Sequence, residues 1–190
     1  GVELADLVGL GERELEDVLM HEPVVKFLIE KMREHGCEID RRFFKVENCQ
    51  SKPVLGGFVP GRGISICYDQ ITTRTEMENM LAHELIHAYD DCARKKMDWF
   101  NVEHHACSEV RAANLSGDCH WVNELFRGNL KVQGQHKICA RRRAELSVAM
   151  SPQCEKVKAG GGSAEVCARN AVEKVLERCF KDTKPFDDIP

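Results

Sequence analysis

Apolar residues recur every three or four positions between Glu12 and His35, at the start of the chain. This spacing predicts an amphipathic helical stretch, because residues three and four apart share one face of an α-helix. Pro23 is expected to break the stretch, since proline has no backbone N–H to donate. The apolar positions that we expect in the core are Leu15, Val18, Leu19, Val24, Phe27, Leu28 and Met32.

The pattern then changes to one typical of strands. Phe43, Phe44 and Val46 are strand-like, and the segment from Val54 to Tyr68 contains the turn sequence Pro60-Gly61-Arg62-Gly63 followed by alternating apolar and polar residues. Such alternation on both sides of a glycine-rich turn predicts a β-hairpin. The alternating apolar residues are Ile64, Ile66 and Tyr68.

Helical patterns return further along the chain. Thr75 and Glu78 have the spacing of a capping box, and the run that they open continues to Lys96 without proline or glycine. A second helix is expected between Asn101, as N-cap, and Gly117, as the stop. After Trp121 the chain is predicted to be mostly helical, with segments 141–150 and 164–181 and the flexible joint Gly160-Gly161-Gly162. Along the first of these helices the apolar stripe is Leu81, Leu85, Ala88 and Cys92.

The HExxH sequence His83-Glu84-Leu85-Ile86-His87 lies in the middle of the first of these helices. Residues i and i+4 share a face, so His83 and His87 can bind one Zn²⁺ together. Glu84 is placed to take a proton from water and to pass it to the leaving amine of a peptide. The simpler alternative is a surface helix that carries two histidines and a glutamate by chance.

A catalytic zinc usually has three protein ligands and one open position. Glu109, 22 residues after His87, is the favoured third ligand, as in the thermolysin-like zincins that this arrangement resembles. His105, one turn earlier, is the alternative ligand, or it stabilises the site by a hydrogen bond. His104 is expected to be an exposed imidazole on the helix face, and Arg111 is expected to pair with a carboxylate. We expect the strand edge from Gly63 to Tyr68 to align an extended substrate, unless that hairpin is purely structural.

Ten cysteines in 190 residues are unusually many, and no pair has the CxxC spacing of a zinc ribbon or a thioredoxin-like site. We therefore predict up to five disulfides, with Cys92 and Cys107 in separate bridges that brace the helices bearing the metal ligands. The alternative is a set of buried free thiols in a reducing compartment.

A net charge of −4 gives no reason to expect nucleic acid as a partner. The distribution of charge is uneven, because residues 125–190 carry 13 basic against 8 acidic side chains. Within this segment Arg141-Arg142-Arg143 could contact anionic lipid headgroups or form an ordinary solvated helix face. No apolar run approaches the roughly 20 residues that span a bilayer, which predicts a soluble or peripheral protein.

Two stretches resemble the metalloprotease family of the mitochondrial intermembrane space that matures and helps to assemble an ATP synthase subunit. They are segment 83–90, followed by Asp98-Trp99-Phe100, and segment 105–119. The family's hairpin and cysteine pattern also match, from about Cys37 to the C-terminal helix. The chain departs from the comparison zincins at Ala113, where a carboxylate that supports the third ligand would be expected four residues after Glu109.

The resemblance implies a zinc endopeptidase, peripheral on the mitochondrial inner membrane, that is imported and oxidised by a disulfide relay. It further implies that the substrate is a polypeptide, the precursor of a mitochondrially encoded ATP synthase Fo subunit. The protein would remove the presequence of this precursor and assist the assembly of the subunit. The fold class expected is α+β and zincin-like, with a small antiparallel sheet, the HExxH helix and disulfide-stapled helical segments at both ends. The expected division is residues 1–36, a catalytic core at 37–125 and a helical extension at 126–190.

Two alternatives to the zinc endopeptidase stay open at this point. One is a disulfide-rich assembly factor or chaperone for a membrane subunit, in which proteolysis is dispensable; a closed fourth ligand, such as His105 or His120 beside Glu109, would favour it. The other is a nuclear or cytosolic protein with reduced thiols.

Overall fold

The computed structural model describes residues 4–50, 54–94, 96–129 and 134–190. The chain divides into two compact units, residues 1–95 and residues 96–190, which we describe one at a time. The division into three segments that the sequence suggested stays a prediction.

The first unit begins with two helices, α1 (Leu4–His21) and α2 (Pro23–Glu34), which confirm the expected break at Pro23. Proline occupies the first turn of α2, where an N–H would have no partner within the helix. Of the predicted core residues, Leu15, Val18, Leu28 and Met32 are buried. The other three, Leu19, Val24 and Phe27, are half-buried at the edge of the apolar face.

Three strands form the sheet of this unit: β1 (Phe44–Glu47), which follows a 3₁₀ turn at Arg41–Phe43, β2 (Gly56–Val59) and β3 (Gly63–Cys67). The β2–β3 hairpin is confirmed. The expectation of an antiparallel sheet was wrong: the sheet is mixed, with the order β1-β3-β2, because β3 pairs antiparallel with β2 but parallel with β1. Residues 48–62 separate the two strands, and a connection of a dozen or more residues is what a parallel pair needs.

The position of β3 in the sheet shows that the expected substrate edge was wrong. Both backbone edges of β3 are engaged, one by β1 and the other by β2, so the segment from Gly63 to Tyr68 cannot present a free edge. The start of β3 is also closely packed: Gly63 has φ +95°, and a Cβ there would lie 2.2 Å from the carbonyl oxygen of Phe43. Among the described strands, β1 and β2 both have an outer edge that no other strand pairs with, and of these two β2 is the one that packs against α3.

Helix α3 (Arg74–Ala93) carries the HExxH sequence, and it starts two residues earlier than predicted. Its N-cap is Thr73, whose hydroxyl accepts a hydrogen bond from the backbone N–H of Glu76 at 3.2 Å while Glu76 Oε2 accepts from the N–H of Thr73 at 3.1 Å. The chain has two overlapping capping-box spacings, and the extended backbone of Thr73 selects the first. Glu78 instead pairs with Arg74 at 2.6 Å.

The far end of α3 also differs from the prediction, because the helix ends at Ala93 rather than Lys96. Arg94 has an extended backbone, with φ −102° and ψ 92°, which stops the helix there. The predicted stripe is confirmed: Leu81, Leu85 and Ala88 are buried, and Cys92 forms a disulfide with Cys37. A second disulfide of this unit, Cys49–Cys67, ties the segment after β1 to the end of β3.

The second unit is helical within its described residues. Its longest helices are α4 (Val102–Leu115), α6 (Gln135–Ala149) and α8 (Ala164–Phe180), and each of these packs against the other two. Two short helices, α5 (Trp121–Phe126) and α7 (Pro152–Ala159), connect them. Close packing of the long helices depends on small core residues, namely Ala106, Val110, Ala144, Val148, Ala168 and Val172.

The sequence predicted the ends of α4 and α8 well, but it placed the start of α6 at Arg141, whereas that helix begins at Gln135, directly after Gly134. Asn101 caps α4 by accepting hydrogen bonds from the next turn, and the chain leaves α4 through Gly117 at φ +82°. Gly160 caps the C-terminus of α7, so the glycine trio joins α7 to α8 as expected.

Three further disulfides lie in this unit: Cys107–Cys179, Cys119–Cys139 and Cys154–Cys167. All ten cysteines are therefore paired, which confirms five disulfides and the separate bridges of Cys92 and Cys107. Every bridge joins two positions of the same unit.

Each of the three arginines at 141–143 has an acidic partner in the second unit. Arg141 pairs with Glu145 and Glu173, Arg142 with Glu124, and Arg143 with Asp118. Burial raises the pKa of Glu124, but hydrogen bonds from Gln135 and Arg127 and the charge of Arg142 outweigh it and hold that pKa below its usual range.

Arg111 behaves as predicted, because it pairs with a carboxylate. Its guanidinium is fully buried, lies 2.8 Å from Asp182 Oδ1 and also donates to the backbone carbonyls of Asp182 and Lys184. These contacts hold the segment after α8 against α4. Throughout the described residues, no helix is both long enough and apolar enough to cross a bilayer.

Candidate active site

Helix α3 brings the two histidines of the HExxH sequence together. The Nε2 atoms of His83 and His87 are 3.2 Å apart, with the ring centroids 4.8 Å from each other. His83 is half-buried and His87 is buried, so both imidazoles are held at the margin of the core. As the i, i+4 spacing predicted, the ring nitrogens of the two histidines converge on one point.

The distance between these nitrogens fits a shared metal ion. Zinc binds imidazole nitrogen at about 2.0–2.1 Å, and two such ligands at a tetrahedral angle lie roughly 3.3–3.4 Å apart. The observed 3.2 Å is close to that value without any change of rotamer. The geometry and the chemistry of the two histidines therefore suit a zinc ion.

Glu84 lies between the two histidines in sequence, and its carboxylate is oriented by the sheet. The backbone N–H of Phe58, in β2, donates a hydrogen bond of 2.7 Å to Glu84 Oε2. Phe58 is opposite Ile64 in the antiparallel pair, and its N–H points away from β3 toward α3. The outer edge of β2 therefore runs beside the proposed base.

Glu109 belongs to the second unit, where it is a buried carboxylate on α4 with 4% of its surface exposed. Its Oε1 accepts a hydrogen bond from Ser147 Oγ of α6 at 2.5 Å and lies 3.2 Å from His105 Nε2, one turn earlier on α4. The ring of His105 packs edge-on against Trp99, with 5.8 Å between centroids. Glu109 is thus held in one orientation by neighbours on two helices.

Two other histidines of this unit, His104 and His120, have different surroundings. His104 is half-buried rather than exposed, and its Nδ1 accepts a hydrogen bond of 3.2 Å from the backbone N–H of Asp98, before the start of α4. His120 is exposed at the N-cap of α5, with its ring 5.8 Å from that of Trp121.

Sequence reasoning missed two residues that contact the proposed catalytic and ligand groups. Phe58 acts through its backbone N–H, which has no signature in the sequence. Ser147 lies 38 positions after Glu109 and approaches it only because α6 packs on α4. Position 113, where a carboxylate that supports the third ligand was expected, is an alanine. His105 and Ser147 contact the Glu109 carboxylate instead.

Comparison with known proteins gives the family. The model of the Peptidase M76 family matches residues 11–187, almost the whole chain. The chain belongs to the Peptidase M76 family. This match confirms the metallopeptidase family that the sequence suggested and the α+β fold class, with five disulfides and a small sheet.

The relatives described here share the name mitochondrial inner membrane protease ATP23. The mitochondrial inner membrane protease ATP23 of Yarrowia lipolytica is 38% identical over 179 residues, covering 94% of the chain and 68% of the relative. The protein of that name in Schizosaccharomyces pombe is 36% identical over 179 residues, covering 94% of the chain and 91% of the relative.

The human mitochondrial inner membrane protease ATP23 homolog is 43% identical over 171 residues, which cover 88% of the chain and 65% of the relative. No solved structure matches the chain. The chain is thus a member of a peptidase family, and the three relatives described here are named as mitochondrial inner membrane proteases or a homolog of one.

Proposed function

We propose that this chain is a zinc-dependent endopeptidase in which His83, His87 and Glu109 bind the metal and Glu84 is the general base. The observation that carries the proposal is the 3.2 Å separation of the two histidine Nε2 atoms, on the helix whose Glu84 is oriented by the sheet. Membership of the Peptidase M76 family supports the same reaction class.

The three proposed ligands are a chemically matched set. Each offers one ligand atom, two imidazole nitrogens and one carboxylate oxygen, and His87 and Glu109 are buried. Two histidines and one glutamate form a donor set that is common in catalytic zinc sites, and it leaves one position open. His105 and Ser147 are then positioning residues, because each contacts the Glu109 carboxylate at Oε1.

When bound, zinc supplies a Lewis acid that polarises a carbonyl group and acidifies water. Glu84 takes the proton of the attacking water on its carboxylate and delivers it to the nitrogen of the leaving amine. The Phe58 N–H restricts rotation of this carboxylate, so that the base is already oriented before the substrate binds.

We propose β2, rather than β3, as the strand that aligns the substrate. Its outer edge lies beside Glu84, and an extended peptide can add to such an edge through backbone hydrogen bonds. Side chains of the peptide would then alternate between the two faces of the sheet.

For the substrate we propose the precursor of a mitochondrially encoded ATP synthase Fo subunit, whose presequence is removed and whose assembly the chain assists. The support is the resemblance of segments 83–90 and 105–119 to the intermembrane-space metalloproteases, together with the names of the relatives. Five disulfides agree with an oxidising compartment, the intermembrane space, which a disulfide-relay import pathway would explain. Association with the inner membrane would be peripheral.

Metal analysis combined with a cleavage assay on a synthetic presequence peptide tests this function. The wild-type chain should bind about one zinc ion. Glu84→Gln should retain the metal but lose cleavage by a factor of about 10²–10⁴, because an amide cannot take the proton. Glu78→Gln, on the same helix, is the matched control and should leave cleavage unchanged. Undiminished hydrolysis by Glu84→Gln would refute the assignment.

The third ligand needs its own comparison. Glu109→Ala should lose zinc under conditions where His105→Ala retains it with an affinity weakened by about 10–100-fold, the range typical of groups that orient a ligand. The reverse result would make His105 the ligand.

The assembly role can be separated from proteolysis with the same base variant. If the chain has both roles, Glu84→Gln should still support assembly of the membrane subunit when that subunit is supplied without its presequence. Loss of assembly under that condition would restrict the function to proteolysis.

A further inference from the structure

A cavity of about 520 Å³ lies in the first unit, beside Phe58. Its walls combine residues from the loop after α2, the 3₁₀ turn, the β2–β3 hairpin and the last turns of α3. The volume is within the range of about 300–1,000 Å³ that is usual for ligand pockets. Apolar groups that line it are Met32, Ile39, Phe43, Phe58, Ala88 and the Cys37–Cys92 disulfide.

The cavity adjoins the proposed base along two elements. On α3, Glu84 is followed at i+4 by Ala88 and at i+7 by Asp91, which lie on the same helix face, and both of the later residues line the cavity. On β2, Phe58 contributes to the lining while its N–H binds Glu84. A peptide that lies along the outer edge of β2 therefore passes from the base to the cavity within a few residues.

The chemistry of the walls selects the kind of side chain that fits. The rings of Phe43 and Phe58 lie 6.4 Å apart at a 30° tilt, and Met32 and Ile39 are buried beneath the surface. A large apolar group gains contact with these surfaces, whereas a charged group would lose hydration there. The lining also includes five charged residues, so that polar neighbours of the apolar group can stay solvated; they are Glu38, Asp40, Arg42, Arg62 and Asp91.

We propose that this cavity is a specificity pocket that takes a bulky apolar side chain of the substrate on the amino-terminal side of the scissile bond. The inference rests on the proposed function. The direction of β2 determines on which side of the scissile bond the bound side chain lies. The cavity is toward the C-terminal end of β2, where Gly61 and Arg62 line it. A peptide in the more stable antiparallel pairing has its amino-terminal half at that end.

The test measures kcat/KM for a peptide series in which each of the three positions before the scissile bond is Ala, Asp, Leu or Phe. The wild-type chain should cleave the Leu and Phe peptides about tenfold faster than the Ala peptide at one of these positions, a typical effect of an apolar pocket. Phe43→Ala should reduce this preference to less than about threefold by removing one wall. Phe27→Ala, a half-buried phenylalanine on α2, is the matched control and should keep the preference.

The possible outcomes distinguish failure of the specificity pocket from failure of the proposed peptidase function. Cleavage that depends on Glu84 but shows no apolar preference on the amino-terminal side overturns the pocket and leaves the peptidase intact. A preference that Phe43→Ala does not change, in a variant with a native circular dichroism spectrum, also overturns it. Cleavage that persists in Glu84→Gln would overturn the proposed function itself.

Discussion

The backbone N–H of Phe58 donates a hydrogen bond of 2.7 Å to Oε2 of Glu84, 26 residues later in the chain. Through this bond the edge of the sheet holds the carboxylate that we propose as the general base. The position of the proposed base is thus set by β2 as well as by its own helix.

Shortening the Glu84 side chain should show how strongly peptide hydrolysis depends on the position of its carboxylate. Glu84→Asp keeps a carboxylate but withdraws it by one methylene from Phe58 and from the reacting water. We expect kcat to fall by about 10²-fold, the loss typical of a displacement near 1 Å, with zinc content unchanged. Glu78→Asp, the same change on α3 six residues earlier, should have no effect on peptide hydrolysis. Wild-type turnover by Glu84→Asp would show that the bond to Phe58 is dispensable.

The contact between Ser147 and Glu109 predicts a change in metal affinity. Ser147→Ala removes the hydrogen bond to Glu109 Oε1, so the proposed ligand loses one of its orienting partners. Competition with a zinc chelator should show an affinity lowered by about 10–100-fold. Ser163→Ala, which removes the N-cap of α8 in the same unit, should cost about 1 kcal/mol of stability and leave zinc affinity unchanged. Equal zinc affinities for the two variants would contradict a role for Ser147.

The capping box at the start of α3 can be tested with two neighbouring threonines. Thr73→Ala should lower the free energy of unfolding by about 1 kcal/mol, because its hydroxyl accepts the N–H of Glu76. Thr75→Ala, which alters an exposed residue in the first turn, should change it by less than about 0.5 kcal/mol. Urea denaturation measures both. A larger loss from Thr75→Ala would place the cap where the sequence first suggested.

The disulfides predict a graded loss of stability. In the chain-entropy account, removal of Cys107–Cys179, which closes 72 residues, costs about 4 kcal/mol, whereas removal of Cys154–Cys167, which closes 13, costs about 3 kcal/mol. Both of these two bridges join one buried and one half-buried cysteine, so the double Cys→Ser variants that remove them are matched. Thermal unfolding should therefore rank them in this order, and alkylation should modify no cysteine before reduction and all ten afterwards.

Stability should also depend on pH through His136. Burial lowers the pKa of this imidazole, which lies between Asn114 and the ring of Phe180. The folded chain then binds the proton less readily than the unfolded chain, so the stabilising contribution is complete above the ordinary pKa of about 6.5 and declines as the pH falls below it. His136→Gln should flatten this decline between pH 7.5 and 5.5 in urea denaturation. Parallel pH profiles for wild type and His136→Gln would exclude the effect.

The helices that carry the proposed site were predictable because their signals are local. The HExxH spacing, the stripe of Leu81, Leu85 and Ala88, and the cap of α4 at Asn101 all depend on residues within two or three turns of one another. The cap of α3 was ambiguous, because Thr73 and Thr75 each precede a glutamate by three positions. Only the backbone conformation distinguishes the two, and that conformation is not visible in the sequence.

By itself, the sequence determined the HExxH helix, the hairpin, the separate bridges of Cys92 and Cys107, and the family, because these follow from short-range periodicity and from residue identity. Tertiary structure alone decided that β3 is central and β2 lies at the edge, which cysteines pair, and that Phe58 and Ser147 contact Glu84 and Glu109. Those contacts join residues 26 and 38 positions apart, and they arise from the packing of whole strands and helices rather than from any local pattern.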